Sequence, residues 1–159
     1  MRLYFLRHGI AEEREQWTGD DALRPLTSKG RERLEEVAAF LAGRRLGIGA
    51  IVTSPLVRCR QTAEIVARGL GISERLVEDV RLAPGLGPGA LVTLLRPRAD
   101  EEALLLVGHE PDFSETIGAL IGGGRVVCKK GCVACVNLPD PGRLEGELEW
   151  LLQPSLLRA

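Results

Sequence analysis

The chain has 159 residues, 45% of them apolar and 27% charged, a mixture that suits one globular domain over residues 1–159. With 21 basic against 22 acidic residues the formal net charge is −1, which argues against a nucleic-acid partner. The first apolar stretch, Leu3–Leu6, is too short for a secretory leader, and no run reaches membrane-spanning length, so no membrane partner is expected and the cytoplasm is the expected compartment.

Apolar runs and amphipathic patterns then alternate along the chain. Leu3–Leu6 reads as a buried strand. Residues Glu12–Arg24, polar and charged, form the longest unpatterned stretch and read as a mobile flap. Thr27 suits the cap of a helix whose apolar positions Leu34, Val37, Ala38 and Leu41 follow helical spacing. Ala50–Thr53 is a second strand. Ser54 reads as the cap of the next helix, with Pro55 at its first position, Ala63, Val66, Ala67 and Leu70 facing inward, and Gly71 as its stop. Arg75–Glu78 is a short strand, Gly85–Gly89 a loop, and Ala90–Leu95 a short helix ended before Pro97. Ala103–Val107 is a strongly apolar strand closed by Gly108. Pro111 opens a helix with Phe113, Ile117, Leu120 and Ile121 inward, ended by the glycines at 122–124. Val133–Leu138 and Leu144–Leu152 read as two late strands paired at a sheet edge. The pattern predicts an α/β fold, a three-layer sandwich with a mostly parallel central sheet and antiparallel edge strands.

Such sheets bind ligands at the carboxyl ends of their parallel strands. Three unusual clusters fall there: Arg7-His8-Gly9 after the first strand, Ser54 to Arg58 after the second, and Gly108-His109-Glu110-Pro111 after the fourth. Both histidines of the chain therefore share one rim. A phosphoryl group transferred to a histidine needs a neutral imidazole with one nitrogen free and its tautomer held at the other. Its oxygens need forked cationic donors, because positioning and charge stabilisation carry most of this catalysis. Arg7 and Arg58 can supply the forks, Arg58 beside the free N–H groups of a helix start. His109 can donate to the same oxygens, and Gly9 lets main chain approach a ligand. Together they form a pocket for phosphate- or sulfate-type anions with a nucleophile, His8, inside.

Arg7-His8-Gly9 resembles the signature of the histidine phosphatase (phosphoglycerate mutase-like) superfamily. Leu26 to Gly30 resembles its helix-opening motif, Ser54 to Ala63 its second arginine motif, and Gly108-His109 its second catalytic histidine. The likeness spans roughly residues 1–138. The short chain and the Gly108-His109-Glu110-Pro111 run resemble the SixA-type phosphohistidine phosphatases. The resemblance implies a phosphoglycerate mutase-like fold, a phosphohistidine intermediate on His8, a phosphate pocket of Arg7, Arg58 and His109, and no metal.

One departure bears on substrate. Family members acting on alcohol esters carry an acidic residue in the loop after the third strand, whereas Val80–Gly89 here contains none. Asp79 lies at its start, and Glu12, Glu13 and Glu110 are candidate proton donors from elsewhere. An alkoxide leaving group benefits from a positioned acid, while phosphohistidine can leave as neutral imidazole once its ring is protonated. The missing acid thus favours a phosphohistidine-bearing protein. The alternatives are a phosphomonoesterase for small metabolites or nucleotides and a non-catalytic phosphoprotein-binding module. An intact nucleophile argues against the last.

Cys128, Cys132 and Cys135 match the spacing of the iron–sulfur motif of radical enzymes. That motif belongs near the start of a barrel longer than this chain, and zinc would lack a fourth ligand unless Cys59 joined. No cofactor or metal is expected, and these cysteines read as small buried residues. Arg60, two positions from Arg58, reads as solvated because i and i+2 do not share a helix face.

Overall fold

Alternation along the first strand builds the two sides of the core. The computed structural model describes residues 1–157, and in it β1 (Arg2–Arg7) sends Tyr4 and Leu6 to one face and Leu3 and Phe5 to the other. Then follow α1 (Ser28–Gly43), β2 (Ala50–Thr53), α2 (Val57–Leu70), β3 (Leu76–Glu78), α3 (Pro88–Leu95), β4 (Ala103–Gly108), α4 (Asp112–Leu120), β5 (Val133–Asp140) and β6 (Glu145–Leu152). One six-stranded sheet runs β3-β2-β4-β1-β5-β6. The first four strands in that order are mutually parallel, and β5 and β6 join antiparallel.

Helices cover both faces. Leu34, Val37 and Leu41 of α1 and Ala63 and Val66 of α2 pack on Tyr4, Leu6, Ile51, Leu105 and Val107. Leu91 and Leu94 of α3 and Phe113 and Ile117 of α4 pack on Leu3, Phe5, Val52, Leu104 and Leu106. Each fully buried side chain of this size contributes about 1.5–3 kcal/mol. β4 is buried along its whole length, as expected for a central parallel strand. The three-layer, mostly parallel sandwich is the predicted one.

α1 begins as its sequence implies. The Thr27 hydroxyl accepts from Gly30 N–H at 3.0 Å, and Thr27 N–H donates to the Ile10 carbonyl at 2.9 Å. Gly30 has a packing reason: a Cβ there would lie 2.1 Å from the Ile10 carbonyl oxygen. The helix therefore rests directly on the main chain that leaves His8.

Two helix starts differ from expectation. Ser54 does not cap α2, nor does Pro55 occupy its first position; Ser54 directly follows β2, Pro55 lies in a bend, and Leu56 is the cap without a side-chain bond. Ser54 is drawn away because its hydroxyl bonds a histidine from the neighbouring strand end. In α4, Pro111 is the cap residue and Asp112 the first helical one. The flap region also has more structure than its composition suggests. Asp20 caps a one-turn 3-10 helix, Asp21–Leu23, and Arg24 reaches back to the Glu12 carbonyl at 2.7 Å.

Candidate active site

The parallel strands end in turns tied across the sheet. His8 N–H donates to the Gly108 carbonyl at 3.1 Å, and Ser54 N–H to the Val107 carbonyl at 3.0 Å. These bonds bring the three clusters onto one rim.

His8 is buried, with its ring centroid 5.5 Å from that of His109. Its Nδ1 lies 2.8 Å from the Gly9 carbonyl oxygen. A carbonyl only accepts, so Nδ1 carries the hydrogen and Nε2 keeps its lone pair. Burial, reinforced by the neighbouring His109 ring and the charges of Arg58 and Arg7, lowers the His8 pKa to about 3 against the opposing pull of the Gly9 carbonyl. At neutral pH the ring is uncharged and of fixed tautomer, with the Nε2 lone pair free.

His109 is neutral for the same leading reason, burial, followed by the Arg58 charge, which take its pKa to about 4. The Ser54 hydroxyl sits 2.8 Å from its Nε2 and accepts from Leu56 N–H at 3.3 Å. The hydrogen bond with Ser54 orients the His109 ring.

The cations are held from unexpected directions. Arg7 Nη1 donates to the Cys128 carbonyl at 2.8 Å, and Arg7 N–H to the Cys132 carbonyl at 3.1 Å. Gly131 N–H returns a bond to the Arg7 carbonyl at 3.1 Å. Arg58, nearly fully buried, donates from Nη1 to the Asp21 carbonyl at 2.9 Å and pairs through Nη2 with the Asp21 carboxylate at 3.1 Å. The Nε atoms of Arg7 and Arg58 are buried without a hydrogen-bond partner among the described residues. A buried unpaired guanidinium donor is costly. Both arginines line one cavity of about 430 Å³ with His8, His109, Arg24 and Lys130, and with the carboxylates of Glu12, Glu13, Glu15, Asp21 and Glu110.

A family model for the histidine phosphatase superfamily (branch 1) matches residues 3–83. The chain belongs to that superfamily. It is 43% identical over 126 residues to an uncharacterized protein of Picosynechococcus sp. strain PCC 7002, covering 77% of this chain and 74% of that protein. It is 26% identical over 161 residues to the phosphohistidine phosphatase SixA of Escherichia coli K12, covering 99% of this chain and 97% of SixA. A solved structure of the protein histidine phosphatase SixA complexed with tungstate superposes with a TM-score of 0.89 at 24% identity, covering 99% of this chain and all of that one. The phosphoglycerate mutase-like fold of SixA is therefore the fold of this histidine phosphatase.

Of the candidate residues, Arg7, His8, Arg58, His109, Glu12, Glu13 and Glu110 all line the cavity. Gly9 does not. Its missing side chain faces Leu34, which a Cβ would meet at 2.7 Å, and its N–H donates to the Thr62 hydroxyl at 3.1 Å. Glu110 is committed elsewhere: it accepts from Ser114 N–H at 3.0 Å and from the Ser114 hydroxyl, tying down the first turn of α4. Asp79 is held by Arg81 at 2.7 Å and 2.5 Å, a hydrogen bond that leads the causes keeping its pKa low. Arg60 pairs with Glu78 at 3.1 Å, away from the cavity. Cys59, Cys128, Cys132 and Cys135 are all buried with free thiols, and no group of metal-binding side chains occurs among the described residues.

Three contributors escaped the sequence reading. Ser54 looked like a cap but orients His109. Asp21 lay in a stretch with no periodic signal. The carbonyls of Cys128 and Cys132 hold Arg7 through main chain, which side-chain identity does not report. The Ser54-Pro55 pair directly after a strand was the one available hint.

Proposed function

We propose that this histidine phosphatase works through a covalent phosphohistidine on His8 and that its preferred substrate is a phosphohistidine on a protein. The observation that carries this reading is the Gly9 carbonyl 2.8 Å from His8 Nδ1, which leaves Nε2 as the attacking atom beside Arg7, Arg58 and His109. In the first step Nε2 bonds to phosphorus while the bond to the leaving group breaks. A phosphohistidine protonated at its other ring nitrogen departs as neutral imidazole. In the second step water attacks the phosphoryl group, its proton passes to the released phosphate, and His8 recovers its lone pair. Arg7, Arg58 and the His109 N–H stabilise the equatorial oxygens in both steps, with no metal required of the scheme.

The substrate preference is supported by the commitments of the acids. Glu110 and Asp79 are each engaged in bonds that hold local structure. Glu12 and Glu13 remain as proton donors for an alcohol ester, which is the activity the second reading, a small-molecule phosphomonoesterase, requires. The similarity to SixA along almost the whole chain favours the phosphohistidine substrate.

The test is phosphate release from a phosphohistidine protein and, separately, from an aryl and an alkyl phosphate, by wild type and His8→Ala. Wild type should release phosphate from the first two and carry acid-labile phosphate that His8→Ala does not. Arg58→Ala should lose about a hundredfold in rate, by analogy with removal of an oxyanion donor. Turnover of alkyl phosphates with none of phosphohistidine would reverse the substrate assignment, and an unlabelled wild type would remove the covalent step.

A further inference from the structure

Arg58 has five N–H donors, and the two bonds it makes both run to one residue. Nη2 meets the Asp21 carboxylate at 3.1 Å and Nη1 the Asp21 carbonyl at 2.9 Å. Asp21 lines the same cavity as Arg7, His8 and His109. Its carboxylate is thus an anion already seated on the guanidinium that the reaction needs for a phosphoryl group. A carboxylate and a phosphate compete for the same forked donor.

The two partners differ in how firmly they are held. The Arg58 side chain is 5% exposed and that of Asp21 38%. Asp21 stands in the one-turn helix Asp21–Leu23, none of whose residues is buried, so its displacement sacrifices little apolar packing. Nor would the displaced carboxylate be abandoned. Arg24 Nε holds its other oxygen at 2.8 Å, and Arg14 lies at 4.0 Å. Arg58 is committed to the cavity wall, and Asp21 is the movable member.

We propose that Asp21 is an internal competitor for the phosphoryl group at Arg58. It occupies the guanidinium in the empty enzyme, gives way when substrate binds, and returns as phosphate leaves, limiting product retention. This rests on the reading of Arg58 as a phosphate ligand. A purely structural Asp21 that aligns Arg58 makes the opposite prediction, since its loss would weaken phosphate binding.

The experiment is calorimetric titration of inorganic phosphate into wild type, Asp21→Asn and Glu15→Gln near neutral pH. Asparagine keeps the shape and the main-chain contact while removing the charge. Phosphate should bind Asp21→Asn about fivefold more tightly, a magnitude limited by the partial exposure of the pair. Glu15 also lines the cavity but has no bond to Arg58 among the described residues, so its variant should change by less than about twofold. Product inhibition of aryl phosphate hydrolysis should tighten in parallel for Asp21→Asn. A second measurement uses wild-type Asp21: Trp17, whose indole donates to the Asp20 carbonyl at 2.9 Å, reports on the segment in a Trp150→Phe background, and its emission should change as phosphate binds.

Unchanged or weaker binding by Asp21→Asn overturns the competitor, as does equal tightening by Glu15→Gln, which would show a general charge effect. If Asp21→Asn does not fold, Asp21→Ser carries the same expectation, and a silent Trp17 at saturating phosphate overturns the displacement. Hydrolysis by an enzyme that fails these tests removes the competitor alone. Phosphate binding to none of the three proteins removes the anion site and the competitor with it.

Discussion

One ring nitrogen of His8 is engaged by the Gly9 carbonyl, and burial governs the pH behaviour of the ring that the proposed mechanism uses. Because burial and three neighbouring cationic or ionisable groups hold its pKa to about 3, the neutral form persists well below the range in which an ordinary histidine protonates. His109 shares the depression, to about 4. The acid limb of kcat/KM for the free enzyme should therefore show no step near pH 6.5 attributable to loss of the nucleophile. A rate profile with an aryl phosphate whose own ionisation lies outside that window checks this, and a sharp fall in kcat/KM centred near 6.5 would contradict it. Cys59 illustrates the converse at the same rim. Burial lifts its thiol to about 12, so although its sulfur lies 3.4 Å from His109 Nε2 it stays protonated and does not compete as a nucleophile.

At the scale of elements, the site depends on how closely α1 approaches the turn after β1. Gly30 permits that approach, since a methyl group would press on the Ile10 carbonyl, and backbone cannot step aside as a flexible side chain can. Gly30→Ala should destabilise the fold by about 1–3 kcal/mol despite its better helix propensity, and should lower activity by shifting the Gly9–Ile10 turn. Urea unfolding and aryl phosphate turnover measure the two effects. This contact also shows what the sequence could convey. The central parallel strands were legible as unbroken apolar runs because they are buried on both faces, and the inward faces of α1, α2 and α4 because burial there repeats with the helical period. Thr27 was legible as a cap because its bond reaches only three residues ahead. Ser54 was not, because the partner that decides its role, His109, is 55 positions away. Asp21 was invisible for a similar reason: its bond to Arg58 joins an irregular segment to a helix start, and neither periodicity nor local spacing encodes such a meeting. Glu110, read as a candidate proton donor, is bonded to Ser114 within one helical turn.

For the molecule as a whole, the same two histidines link folding to acidity. Their pKa values are near 6.5 in an unfolded chain and about 3 and 4 in the folded one. Between those limits the unfolded chain binds more protons, so folding stability rises with pH, is complete above about 6.5, and is lost progressively as pH falls toward the folded values. Phosphate-free protein should accordingly melt at lower temperature at pH 5 than at pH 7, and substituting His8 and His109 with glutamine and asparagine should flatten that dependence. Thermal melts of both proteins in a non-binding buffer would show it, and parallel curves would count against it.

The bonds from Arg7 to Cys128 and Cys132 span more than a hundred residues, and their consequence is temporal. All four motifs have been synthesised by the time Pro111 is added, yet Arg7 still lacks the carbonyls that hold it. β1 at that stage also has one open edge, the one β5 later pairs. A growing chain thus displays every family motif before it can hold Arg7, and the carbonyls that fix it arrive only with the segment just ahead of β5, which contains no motif at all.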